Sequence, residues 1–334
     1  MAKTRETVLG LLAGVVAMAV AATVLTSCEE EKPTETSTSG LTTVICDESF
    51  RNIMSQEIDV FEYTYPNANI MPYYVDDHSV MDSLLSLKSR LVVTARPLTE
   101  EQLSYLRSNK LKPRTQQIAV DAIAIIVNNE NNIDELSISE LRDIMTGKTP
   151  NWSDVFPSKL GKIQVIFDHA GSSTVKYMTD SILRGEKFSD EVFACESNQE
   201  VFEQVERRRN AIGIIGVSWI TADMQSPDTA QYTMQQKVDE LNAKQNFAID
   251  LTSRIKVMKI RHDSVPIAYK PYQLYIYDGS YPLHRSIYAT VTTPTGTLAH
   301  GFFSFLTGPI GQKIILNTGV MPAIMRNRIV EIVD

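Results

Sequence analysis

The chain has little that would support covalent chemistry. Its 334 residues include only 3 cysteines and 5 histidines. The histidines (His78, His169, His262, His284 and His300) show no paired metal-ligand spacing, and neither an HExxH helix nor a GxSxG nucleophile turn occurs. No metal or cofactor is therefore expected. A Gly-rich phosphate loop of the nucleotide-binding type is missing too. His169 beside Asp168 and ahead of Ser172 would sketch an acid/base group with a nucleophile, but residues so close in sequence more often serve turns and caps. The expectation is a protein that is not an enzyme. Positive charge is also scarce, with 32 Lys+Arg against 40 Asp+Glu and a net charge of −8. That sets nucleic acid aside as a partner. It does not exclude a small anionic ligand, which is held by local N–H donors and helix N-termini rather than by net charge. There is no internal repeat to suggest a solenoid.

What remains is an ordinary globular composition, 43% hydrophobic and 22% charged, which can bury a large core. At this length two domains are the default, because a single core stops growing efficiently near 250 to 300 residues.

The N-terminus carries the clearest signal. Lys3 and Arg5 precede an uncharged, mostly apolar run from Val8 to Leu25, as in a secretory signal peptide spanning 1–27. The run ends in Leu25-Thr26-Ser27-Cys28, which resembles the lipobox of bacterial lipoproteins, where the Cys is acylated and becomes the new N-terminus. The other reading is a membrane anchor with an incidental Cys, since about 18 apolar residues just span a bilayer. Lipidation of Cys28 implies a cell-envelope protein held to a membrane by lipid, periplasmic or on the outer-membrane surface. Residues 28–40 begin with Glu29, Glu30 and Glu31 and are rich in Thr, Ser, Pro and Glu, so they read as a disordered tether. Cys46 and Cys195 would then lie in an oxidising compartment; each follows apolar residues and reads as a small buried side chain, with a disulfide the alternative.

Along the rest, strands and helices alternate, which predicts an α/β fold with mostly parallel sheets flanked by helices. Strands are expected at 41–46, 69–75, 91–94, 117–127, 163–167, 211–217, 255–260, 274–277 and 286–292. Helices are expected after Ser49, over 79–87, from Ser137 to a stop at Gly147, after Gly171, over 297–306, and from Pro309 to Gly319. The run 117–127 is too apolar to alternate, as in a strand buried on both faces or one crossing between lobes. Residues 220–252 are polar, Gln-rich and without pattern.

Several motifs in a fixed order resemble the phosphate-binding proteins that serve ABC importers. They are Thr94-Ala95-Arg96-Pro97, Ile118–Asn128 (IAVDAIAIIVN), Leu141–Trp152 (LRDIMTGKTPNW), Gly171-Ser172-Ser173-Thr174, Ala211-Ile212-Gly213, Asp278–Tyr288 and Phe302–Pro322. The resemblance covers about residues 41–334 and implies a type II periplasmic-binding-protein-like fold of two lobes joined by a hinge. Lobe 1 would be 41–117 plus 286–334, and lobe 2 would be 118–285. It also implies inorganic phosphate or a related oxyanion bound in the cleft, an ABC permease in the inner membrane as partner, and a monomer. A different small ligand on the same scaffold, or an interaction protein that has lost its ligand, are the alternatives.

Recognising such an anion needs many N–H and O–H donors, a cation, and one acceptor for the anion's own proton. Candidate donors are Ser49 and Phe50 at the first helix start, Thr94 at a strand end, and Ser172, Ser173 and Thr174; plain N-capping is the competing role for these residues. The family's members carry an Asp where Ala95 stands and an Arg where Asp168 stands. An exchange of charges follows as one reading, with Arg96 the cation and Asp168 the acceptor; in the other, Arg96 makes an ordinary ion pair and Asp168 a turn. Tyr277, Tyr281 and Tyr288 either pack strands or line the cleft.

Overall fold

A computed structural model describes residues 35–223 and 254–324. The signal segment, Cys28 and most of the unpatterned 220–252 stretch lie outside the described residues. None of the described helices is long and apolar enough to cross a membrane.

The chain opens with β1 (Gly40–Asp47), a 3-10 turn (Glu48–Phe50), α1 (Arg51–Thr64), β2 (Ala68–Val75), α2 (Asp77–Leu85), β3 (Leu91–Thr94) and α3 (Glu100–Ser108). The long β4 (Arg114–Asn128) is followed by β5 (Glu135–Ser137), α4 (Ile138–Thr146), β6 (Gln164–Phe167), α5 (Ser173–Tyr177) running into a π-helical turn (Met178–Leu183), and β7 (Val192–Ala194). Then come α6 (Asn198–Arg207), β8 (Ala211–Gly216), α7 (Val217–Asp223), β9 (Ile255–Val257), β10 (Lys259–Arg261), α8 (Gln273–Tyr277), β11 (His284–Val291), α9 (Leu298–Leu306), α10 (Pro309–Asn317) and β12 (Met321–Pro322).

Local chemistry explains many of the boundaries. Ile53, Met54, Ile58 and Phe61 give α1 one buried face, and the helix stops just before Pro66, whose ring disfavours helical backbone at the residue before it. Ser137 and Glu140 form a reciprocal capping box at the start of α4, and Gly147 closes it at φ 77°, the left-handed conformation only glycine adopts freely. Pro309 stands at the first turn of α10, where its missing N–H costs nothing.

One large sheet follows the order β2-β1-β3-β11-β4-β8-β6-β7, with β9 and β12 also bonded to β4. The flanks are parallel (β1 with β2 and β3, β6 with β7 and β8), whereas β11 and β4 form an antiparallel centre. Strand β4 serves both halves: 114–122 pair with β11 and 123–127 with β8. Side chains 122 to 127 are all fully buried, so the uninterrupted apolar run reflects cover on both faces. A bulge sits in the β11–β4 ladder, where Ile287 faces Ala119 but Tyr288 faces Gln117, leaving Ile118 over.

Several expectations need correction. Residues 274–277 are helical, not a strand: the Ile276 N–H bonds the Tyr272 carbonyl, and only Ile276 of the four is buried. A short aromatic run does not reveal its period. Tyr281 is a core residue whose hydroxyl donates to the Ile123 carbonyl at 2.7 Å, while Tyr277 is exposed. Residues 35–40, which the sequence places in the tether, pack on the fold: Glu35 accepts the Leu298 N–H and pairs with Arg90, and Ser37 lies against Gly301 of α9. Cys46 and Cys195, by contrast, are free thiols as expected, Cys46 buried and Cys195 partly so. Helices α3 and α6 were not foreseen.

Candidate functional site

The first part of the site is the turn after β1. Asp47 is fully buried, and its Oδ1 accepts the Ser49 N–H at 2.8 Å, shaping the 3-10 turn that buries Ser49 and Phe50. Two bonds tie this turn to the start of α7: the Trp219 indole N–H donates to the Ser49 carbonyl at 2.9 Å, and the Asn52 amide donates to the Ser218 carbonyl at 2.6 Å.

The second part follows β6, whose end delivers Asp168 into the interior at 0% exposure. Ser172 caps α5 by accepting the Val175 N–H at 3.1 Å, and its hydroxyl donates to Asp168 Oδ1 at 2.5 Å. The other carboxylate oxygen accepts from the Ser49 hydroxyl at 3.2 Å and the Thr174 hydroxyl at 3.4 Å. One carboxylate thus gathers hydroxyls from two remote stretches of chain.

The third part is a cation that the sequence reading missed. Arg285 opens the inward-facing register of β11, shared by Ile287, Ala289 and Val291, and its side chain is 3% exposed. A charge at the head of that alternation was the available signal. Arg285 Nη1 donates to Ser173 Oγ at 2.8 Å and Nη2 to Asp121 Oδ2 at 3.2 Å, with the guanidinium 4.8 Å above the Phe50 ring. Asp121 lies directly across the ladder from it, the one charge in the apolar run of β4. Gly216 leaves room for this pair, since a Cβ there would stand 3.1 Å from Asp121 Oδ2.

The donors form a sequence: Arg285 to Ser173, Ser173 to Ser49 at 3.4 Å, and Ser49 to Asp168. Around the single guanidinium stand Asp47, Asp121 and Asp168. Burial pushes the Asp121 carboxyl up to about 6 against the opposing pull of Arg285. Asp47 is raised by burial, with Arg285 opposing and the Asp168 charge adding to the rise. Asp47 Oδ2, Asp121 Oδ1 and Arg285 Nε have no partner among the described residues.

Of the expected site residues, Ser49, Asp168, Ser172, Ser173 and Thr174 are joined by hydrogen bonds, and Phe50 joins them through Arg285. Thr94 is buried, but its hydroxyl donates to the Arg96 carbonyl at 2.7 Å. The Arg96 guanidinium is not brought to Asp168; it pairs with Asp77 at 3.1 Å and is 44% exposed. The buried cation next to the hydroxyls is Arg285.

A family model described as a PBP superfamily domain matches residues 31–309. Proteins named phosphate-binding protein PstS from Staphylococcus aureus strains bovine RF122 / ET3-1 and USA300 are 24% identical over 201 residues, 59% of this chain and 51% of theirs. The chain spans about half the length of the curated relatives it matches. A putative phosphate ABC transporter substrate-binding protein with bound phosphate from Clostridium perfringens superposes with a TM-score of 0.64 at 17% identity, covering 85% of this chain and 100% of that one. An ABC-type phosphate transport receptor from Vibrio cholerae gives 0.59 at 18%, with coverage of 85% and 100%. These likenesses show a shared fold.

Proposed function

Because the chain belongs to the PBP superfamily, we propose that it is a non-enzymatic, extracytoplasmic solute-binding protein that takes up phosphate or a related oxyanion for ABC-type import. Lipid on Cys28 would tether it to the envelope, and an ABC permease would receive its ligand. The observation that carries the reading is the buried cluster of Ser49, Ser172, Ser173, Thr174 and Arg285 around Asp168, assembled from three distant stretches. The names of the matched relatives support the same ligand. The ligand would lie in a cleft between the segments 41–117 plus 286–334 and 118–285, with the shared strand β4 as the flexing connection.

The chemistry follows from which groups already hold which protons. The hydroxyls of Ser49, Ser172 and Thr174 now donate to Asp168. An entering anion draws them, and the Arg285 Nε–H that has no partner among the described residues, onto its own oxygens. Asp168 is then left without donors in a buried setting, which is costly unless the anion supplies one. A phosphate carrying a proton supplies it; fully ionised sulfate presents only lone pairs. Asp168 would thus select a protonated oxyanion, with Arg285 rather than Arg96 as the counter-charge.

Thermal unfolding of the purified protein, stripped of carried-over ligand, tests this. Phosphate at 100 times its dissociation constant should add about 2.7 kcal/mol of stability. Arg285→Met should abolish the shift and Arg96→Ala should keep it, while Asp168→Asn should lessen the preference for phosphate over sulfate. No shift with phosphate, sulfate or molybdate would overturn the reading.

A further inference from the structure

Beside the anion cluster lies a cavity of about 590 Å³ whose lining includes Glu48, Tyr74, Asp76, His169, Asn198 and Trp219. Two of these residues, Glu48 and His169, are the chain neighbours of Ser49 and Asp168, so the cavity adjoins the cluster. Its volume falls in the range of sites for organic ligands, and a bare phosphate would leave most of it unused.

Its lining carries three carboxylates, Glu48, Asp76 and Glu196, against one guanidinium, Arg51. Glu48 is neutralised by Arg51, which forms two bonds to it at 2.6 and 2.7 Å and covers one face of Tyr74 at 4.2 Å. Arg51 is the cation of this lining and is committed to Glu48, which leaves two further carboxylates, Asp76, whose oxygens accept from Ser79, and the exposed Glu196. Asn198 is 1% exposed, and neither its amide oxygen nor its nitrogen has a partner among the described residues. His169 Nε2 is buried and likewise without a partner. A buried amide with no partner is costly unless something else satisfies it. The two carboxylates and the indole suit an ammonium group, which carries three donors and no acceptor and is attracted to aromatic faces. The same carboxylates oppose entry of a doubly charged inorganic anion, whereas a zwitterion with the same head is spared that repulsion.

We propose that the solute is an amine-bearing phosphonate or phosphate monoester, its anionic head in the Arg285 cluster and its ammonium in the adjoining acceptor-rich cavity. This rests on the oxyanion-binding reading above and narrows it to a zwitterionic class.

Titration calorimetry on the purified full chain, with inorganic phosphate, methylphosphonate and 2-aminoethylphosphonate as probes, tests it. The amine should tighten binding about tenfold over methylphosphonate, as one charge-assisted contact would. Glu196→Lys, on the cavity wall, should bring the two phosphonates to about equal affinity. Equal affinity in the unaltered protein would overturn the inference. So would binding of inorganic phosphate with no binding of either phosphonate, which would leave the oxyanion reading intact. If none of the three probes binds, both readings fall together.

Discussion

Asp121→Asn is the most informative single change, because it separates the two effects that meet in the buried pair with Arg285. Burial raises the Asp121 carboxyl from 3.8 to about 6 even with the guanidinium 3.2 Å away. A carboxyl whose pKa is higher folded than unfolded binds its proton more tightly in the folded state. Its contribution to stability is fully present below pH 3.8 and is lost as the pH rises to about 6. A gap of roughly two units corresponds to about 3 kcal/mol over the whole window, of which about 2 kcal/mol falls between pH 4.5 and 7.5. Asn does not titrate, so the stability difference between the natural protein and Asp121→Asn should shift by that amount across the range, whatever its offset at any one pH. Urea unfolding of both proteins at pH 4.5, 5.5, 6.5 and 7.5 measures it. The natural protein should gain on the variant as the pH falls. If it instead loses ground towards acid, the guanidinium outweighs desolvation, and the balance assigned to the pair is wrong.

Other consequences are open to simpler tests. Glu57 is fully buried on α1, with neither carboxylate oxygen partnered among the described residues, and burial pushes its pKa well above 4.5. Glu57→Met should therefore stabilise by about 1–3 kcal/mol at pH 8, and by less as the pH falls towards 4.5, read as urea midpoints. Ser172→Ala removes both the cap of α5 and a donor to Asp168, and should cost about 1–2 kcal/mol in thermal unfolding while weakening phosphate binding. Gly301→Ala would place a Cβ 1.8 Å from the Ser37 carbonyl oxygen, so residues 35–40 should lift from α9 and become sensitive to limited proteolysis.

The alternation of elements and the apolar run of β4 were legible because burial writes itself into hydrophobic periodicity over many residues. The capped start of α4 was legible for a similar reason: Ser137 and Glu140 cap each other within one turn of chain. The antiparallel centre of the sheet was not, since strand direction depends on partners 164 residues apart, as Arg285 and Asp121 show. The hydroxyl cluster could be read from Ser49 and 172–174 because these residues sit at recognisable turns. Its cation could not be chosen by proximity in sequence. Arg96 lies beside a family motif yet is used by Asp77, while Arg285 is delivered from the other end of the chain by a strand whose inward register begins with it.

The bulge at Ile118 restricts how this protein can change over evolutionary time. Ile118 is the residue of β4 left over against β11, and its carbonyl is claimed by the Gln312 amide and the Ala323 N–H, both at 3.0 Å. Gln117 and Ala119 already face consecutive residues of β11, so deleting Ile118 would restore an even ladder and leave the other side chains on their present faces, with Asp121 still opposite Arg285. A further single deletion between Thr115 and Asp121 would find no spare residue and would turn one stretch of β4 to the wrong face. The strand therefore carries one residue of slack and no more: loss of Ile118 should cost its bonds to Gln312 and Ala323 but keep the ion pair, whereas loss of two residues there should not be tolerated.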